Sequence, residues 1–297
     1  MIPAFLNAIL FGTNALVAKG LSEKGLTDRD LLFTNFSIGA VPLFLFAFLL
    51  GKWRFPAAVL PVFFGAVAGN LLAVTLYFRA LRFTEVSIAL PLISLSPVFI
   101  LVTAPVIVGE RIGPLGIAGV LLVGMGAYLL GASRNRASFA APVLALSRDR
   151  GARYALAVAL VWSVTANFDK LCLRYLDPYV YPAVFSAAMA LFSLPCFRRF
   201  WPSGPDSAWP ARLKTGASSV AARLGLGLSY GFMLAAHMFA MMALPVAYVI
   251  AIKRAGMLAG IAEDARRRTP GRALRAAGAI AILIGIAIIV LRGGGAS

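Results

Sequence analysis

Two adjacent cations, Lys253 and Arg254, stand in the middle of an apolar run from Pro245 to Ala262. Pro245 is a natural helix start, which puts Lys253 eight residues further on, or roughly 12 Å along the axis. In a hydrocarbon slab about 30 Å thick, that is close to the midplane. Each such charge costs about 2.5–3.5 kcal/mol at a helix centre, and the neighbouring Val and Ile residues return only about 0.3–0.6 kcal/mol each. The pair is therefore expected to face protein or a wet cavity. Arginine offers a planar fork for carboxylate or phosphate and lysine a point charge, so together they suit a small anion. The competing reading is an internal salt bridge, for example with Asp169, that only ties helices together. Acids within the apolar spans amount to Asp169, with Glu85 near the start of one, so the cations outnumber their partners. That surplus favours an anionic ligand.

Other polar residues could share such a site. Asp169 and Lys170 fall toward the end of an apolar span. Asp169 could carry a coupling proton or neutralise Lys253 in the empty protein. Alternatively the two form an interfacial pair with Lys170 snorkelling. His237 lies deep in its span, and histidine titrates near neutrality, which suits proton coupling; a hydrogen-bonded structural role is the commoner one. Tyr77 and Tyr248 are candidates to line the cavity or simply to pack, and Asn14 and Asn167 are further lining candidates. One His and two Cys, Cys172 and Cys196, leave too few ligands for a Cys/His metal site, and both Cys sit in apolar runs as small packing residues. No cofactor or metal is expected. Gly227-Leu-Ser229-Tyr-Gly231 matches a nucleophile-elbow pattern, but that motif needs a strand-to-helix turn, and an apolar helix uses its glycines for packing. The chain is not expected to be an enzyme.

The elements that must position these residues follow from composition. Of 297 residues, 61% are hydrophobic and 13% charged, with a mean hydropathy of +0.88. These values describe a polytopic membrane protein and exclude a soluble domain. The net charge of +17 is spread over loops between apolar spans, so it reads as topology setting and attraction to anionic lipid, not as nucleic-acid binding. Apolar spans lie at about 3–20, 31–50, 57–78, 86–108, 113–131, 153–172, 179–197, 220–243, 245–262 and 276–291. The opening run lacks a basic lead-in and is expected to be a retained helix. Pro91, Pro97 and Pro105 should bend the fourth span. Only Ala243-Leu244-Pro245 separates the eighth span from the ninth, so two helices, or one long kinked helix ending at Lys253, both fit that stretch.

The chain repeats itself. The run from Ala8 to Lys19 aligns without gaps to Ala159 through Lys170, Tyr77 to Leu90 falls on His237 to Ile250, and Ala118-Gly119 matches Ala277-Gly278. Gly65 and Gly69 correspond to Gly225 and Ser229, a small-xxx-small pattern that allows close helix approach. The expected architecture is all-α: ten transmembrane helices forming two inverted five-helix repeats around a central cavity. Residues 1–131 make the first repeat, 132–152 a polar linker loop and 153–297 the second. Five spans per copy is odd, so the copies must be inverted, which puts a site near the midplane at their interface. Loops after the odd-numbered spans carry nineteen of the 28 Lys and Arg, which puts both termini outside.

These features resemble the drug/metabolite transporter superfamily, in particular its ten-helix EamA-type members. The resemblance rests on the duplicated unit, on Gly109-Glu110-Arg111 followed by Gly116-Ile-Ala-Gly119, on Tyr77-Phe-Arg-Ala-Leu81, and on the Trp162-to-Lys170 opening of the second copy. It implies a hydrophilic cavity, peripheral fifth and tenth helices, and alternating access. Lys253-Arg254 is also similar to the Lys-Arg pair of the sugar-phosphate translocators, where it grips phosphate. Two departures stand out: Ile93-Ser94 occupies the repeat-equivalent positions, and Ala262-Glu263-Asp264 through Arg268 replaces the apolar end found in the first copy. Asn14 stands where small multidrug relatives carry an essential Glu, which argues against proton-coupled export of lipophilic cations.

The function expected is a secondary transporter that moves a small metabolite, of anionic character, across the membrane. The alternatives are a broad-specificity exporter of amino acids or neutral amphiphiles, or a non-transporting membrane assembly partner. Partners are a small-molecule substrate and the lipid bilayer; the oligomeric state is open, with a monomer plausible. The Ala/Arg-rich, Lys-poor composition suggests a bacterial inner membrane.

Overall fold

A computed structural model of the chain describes residues 1–23, 26, 28–133, 140–192, 217–258 and 272–293. Among the described residues all regular structure is helical. In chain order the α-helices are α1 (Ile2–Glu23), α2 (Asp28–Leu50), α3 (Leu60–Phe83), α4 (Val86–Ile93), α5 (Ser96–Ile107) and α6 (Pro114–Ala132). They continue with α7 (Ala141–Arg148), α8 (Arg150–Cys172), α9 (Val180–Phe192), α10 (Ala217–Ala243), α11 (Val246–Lys253) and α12 (Arg272–Gly293). A 3-10 turn, Arg254–Leu258, continues α11. Seven helical stretches are long and apolar enough to cross a membrane, and residues 2–18 and 180–192 form shorter apolar helices. Large apolar side chains face outward, such as Val106 at 82% exposure and Leu291 at 81%, the pattern of a surface solvated by lipid.

Helix limits follow local chemistry. Proline stands in the first turn of α3, α5, α6 and α7, where its missing N–H costs nothing. Asp149 caps α8 by accepting from the Gly151 N–H at 2.7 Å. The fourth apolar span breaks in two. Ser94 and Leu95 form a turn between α4 and α5, and Pro97 cannot give the N–H that the Ile93 carbonyl would accept in a continuous helix. The stretch expected to be a polar linker, 132–152, contains α7 and the first residues of α8. The charged stretch from Glu263 to Arg268 and Cys196 lie outside the described residues.

α10 ends at Ala243 and α11 begins at Val246, so two helices meet at Pro245, whose extended backbone (φ −55°, ψ 143°) turns the chain. The single kinked helix is excluded. α1 packs on α10 and α3 on α8, while α6 pairs with α12 and α2 with α9. The α6–α12 contact is made by glycines: a Cβ on Gly119 would come within 2.9 Å of the Gly285 carbonyl, and one on Gly126 within 2.5 Å of the Gly278 carbonyl. Only glycine permits that backbone approach. The expected small-residue contacts differ between halves. Gly69 presses on Thr165 of α8, whereas Gly225 has open space around it. Gly227 and Gly231 of the elbow-like motif instead pack α10 on α2.

Candidate functional site

α11 is buried along most of its length, with Val246, Ala247, Tyr248, Val249, Ala251 and Ile252 all in the core. Its last residue, Lys253, is half-buried. Two turns of helix place it roughly 12 Å from Pro245. There the helix tightens into the 3-10 turn, which lies against α1: a Cβ on Gly256 would meet Phe11 Cδ1 at 2.9 Å and the Gly12 nitrogen at 3.0 Å. This contact sets the lysine against α1. Its Nζ lies 5.1 Å from the Phe11 ring centroid, a cation–π distance.

Arg254 points to the other side. Its Nη2 donates to Ser96 Oγ at 2.5 Å and to the Ile93 carbonyl at 3.3 Å. The Ile93 carbonyl is the acceptor that Pro97 leaves without a helical donor. Arg254 thus fills the break between α4 and α5, and its Nε is buried without a hydrogen-bond partner among the described residues. The two neighbouring cations are divided: Arg254 is spent on the backbone of the first half, while Lys253 makes no hydrogen bond or ion pair among the described residues.

Asp169 of α8 is the acid within reach of Lys253. The lysine charge is felt at Asp169 and at His237, and that of Arg254 at the lysine, yet no ion pair within 4.0 Å joins Lys253 to Asp169 among the described residues. Asp169 Oδ1 accepts from the hydroxyl of Tyr181 at 2.6 Å, and Tyr181 is fully buried on α9. A single charged hydrogen bond leaves the carboxylate other lone pairs to offer.

His237 is buried on α10, with Nδ1 3.1 Å from Asn7 Nδ2 of α1; the amide is the donor, so the ring accepts there. Asn7 Oδ1 is buried without a partner. Asn14 ties α1 to α2 and α10, donating to Asn35 Oδ1 at 3.2 Å, the Leu226 carbonyl at 2.8 Å and Ser229 Oγ at 3.0 Å. Asn167 donates to Thr103 Oγ1 at 2.9 Å and to the Ser163 carbonyl at 2.6 Å. Tyr77 lies beside Trp162, ring centroids 6.1 Å apart. Tyr248 is buried with its hydroxyl against Gly116 of α6. Lys253, Asp169 and His237 therefore share one electrostatic neighbourhood, while Asn14, Asn167, Tyr77 and Tyr248 hold helices together around it.

Lys170 parts from its neighbour Asp169. It pairs with Glu110 Oε1 at 3.1 Å, and it donates to the Met241 carbonyl and, at 2.9 Å, to the Leu244 carbonyl. Glu110 Oε2 accepts from the Val246 N–H at 2.8 Å. Sequence reasoning did not anticipate Phe11, Tyr181, Ser96 or the role of Glu110. Only Glu110 carried a signal, as the acid of the Gly-Glu-Arg pattern. The others are ordinary residue types whose roles come from their neighbours.

The fold is similar to that of a protein of known crystal structure, with a TM-score of 0.76 and 24% identity over 99% of this chain and 96% of that one. At that identity the likeness speaks for the fold alone. None of the curated proteins compared matches the chain. Residues 1–132, with the Gly109-Glu110-Arg111 pattern among them, match the model of the EamA-like transporter family. By that match the first 132 residues are similar to the EamA-like family of membrane transporters.

Proposed function

We propose that the protein is a secondary carrier working by alternating access, in which Lys253 grips the negative group of a small metabolite. The observation that carries this reading is the ammonium itself: at the end of the buried helix α11, half-buried, and without an ion-pair partner among the described residues. A cation held there needs a counter-charge, and an anionic substrate supplies one. Arg254 in this reading holds the broken fourth span against α11 and so keeps the lysine in place.

A ten-span architecture of two inverted repeats supports the same mechanism. In its favour, α4 and α11 have eight residues each, start 160 positions apart and stop at equivalent positions. The crosswise packing of α1 on α10 and α3 on α8 agrees with it, as does the reciprocal glycine contact of α6 and α12. Inverted repeats place substrate sites between the halves.

The test is counterflow in proteoliposomes loaded with carboxylates, phosphates or amino acids. Lys253→Gln is expected to abolish exchange while the folded yield is kept; undiminished exchange would refute the anion site. A second reading, export of amino acids, draws on Asp169. Its carboxylate stands near Lys253 without bridging to it, so the two could hold a zwitterion between them. Under that reading Asp169→Asn removes amino-acid exchange and leaves exchange of simple carboxylates intact.

A further inference from the structure

The turn at Pro245 has an unusual bonding problem. Between α10 and α11 there is no polar loop, only Leu244 and Pro245. A helix end leaves its last carbonyls and a helix start its first N–H groups without partners. Pro245 makes this worse, because it has no N–H for the Met241 carbonyl four residues earlier. Two side chains from elsewhere meet the need. Lys170 at the end of α8 takes the carbonyls of Met241 and Leu244, and Glu110 takes the N–H of Val246. The two are themselves paired at 3.1 Å. Their charges also match the helix dipoles, cation at the end of α10 and anion at the start of α11.

Glu110 comes from the first half of the chain, while every group it and Lys170 hold belongs to the second. It is delivered by Gly109, whose backbone (φ +81°) occupies the region that favours glycine. Beside it, Arg174 donates to the Val108 carbonyl at 2.7 Å, a second bond from α8's end to the same first-half loop. The pair is only 16% and 18% exposed, near enough to water for solvent to replace it. The staple is built at the start of α11, and Lys253 stands at that helix's other end.

We propose that Glu110 and Lys170 form a latch that holds the two halves together on the Pro245 face, closes that face above Lys253, and positions α11. This rests on the alternating-access reading. Opening the face separates Glu110 from Lys170 and Val246, and water then solvates the freed groups. The pair acts through α11 and does not touch the substrate.

The experiment reads access. Phe11, which touches the Lys253 ammonium, is replaced by Cys in a chain whose Cys172 and Cys196 are replaced by Ala. A membrane-impermeant maleimide is applied from each face of sealed vesicles. With the latch intact, labelling from the Pro245 face is slow. Glu110→Gln keeps an acceptor for Val246 but loses the ion pair; Lys170→Gln breaks the bond from the other end, so one folded variant suffices. Either is expected to speed labelling from that face by roughly tenfold, the size of a typical conformational coupling. The double variant should add little, since a single contact is lost once. Variants that elute and melt as folded proteins but label no faster would overturn the latch, as would fast labelling from that face with the latch intact. If labelling responds while Lys253→Gln still transports, the anion site fails and the latch stands. If Lys253→Gln is inactive and labelling does not respond, the reverse holds.

Discussion

The ends of α4 and α11 are the same backbone device put to different uses. Both helices run eight residues from an extended cap residue, Glu85 (ψ 146°) or Pro245 (ψ 143°), and both stop at the corresponding position. In the first half that position is Ile93, 3% exposed and packed with Leu92, Ala155 and Val158, with Trp162 against them. In the second half it is Lys253, facing Phe11. After Ile93 the chain resumes as α5, because Pro97 suits a helix start. After Lys253 it tightens into a 3-10 turn pressed on α1 by Gly256. The first break supplies a carbonyl, and the second supplies the arginine that takes it. The two breaks are thus unlike: one holds a cation against Phe11, and the other anchors the arginine beside that cation.

The widest gap between the two ends should appear on exchanging their character. In the proposed anion site Lys253→Gln removes a charge-assisted contact to substrate, worth about 1.5–3 kcal/mol or roughly ten- to a hundredfold in apparent affinity, enough to abolish exchange at substrate levels that half-saturate the parent. Counterflow measures it, with Ile93→Gln as the comparison that should leave affinity unaffected. Putting the cation on the other side, Ile93→Lys, buries it in an apolar cluster. That should cost about 2.5–3.5 kcal/mol, seen as a lower melting temperature and folded yield. A variant that melts with the parent would mean that the first break is as wet as the second.

Smaller effects sharpen the contrast. Tyr181→Phe takes from Asp169 the hydroxyl donor it has among the described residues and should cost about 1.5–3 kcal/mol of stability; thermal melting in detergent checks it, and an unchanged midpoint would mean that water already serves the carboxylate. Two glycines within the matching small-residue patterns of α3 and α10 should respond with opposite signs. Gly69→Ala drives a methyl to 2.5 Å from Thr165 Cγ2 and should destabilise by about 1–3 kcal/mol. Gly225→Ala meets nothing within 4 Å and should gain up to about 1 kcal/mol from helix propensity.

Much of the fold was legible because apolar length is a local property. The spans near 31–50, 113–131 and 153–172 match α2, α6 and α8 within a few residues. The break after Ile93 was foreshadowed by Pro91 and Pro97. The separation of α10 from α11 could be argued only by analogy with α3 and α4, since Pro245 alone does not distinguish a kink from a turn. The helix α7 inside the linker carries no run long enough to mark it.

By itself the sequence determined that the chain lives in a bilayer and that charge is buried at 253 and 254, because hydropathy and charge are sums over neighbours along the chain. It could not decide how those charges are spent. Adjacent side chains on a helix point in directions roughly 100° apart, so Lys253 and Arg254 meet different helices, as do Asp169 and Lys170. Which partner each one finds depends on residues far off along the chain, such as Phe11 for Lys253 and Ile93, 161 positions away, for Arg254. Only the packed helices bring those groups within hydrogen-bond reach.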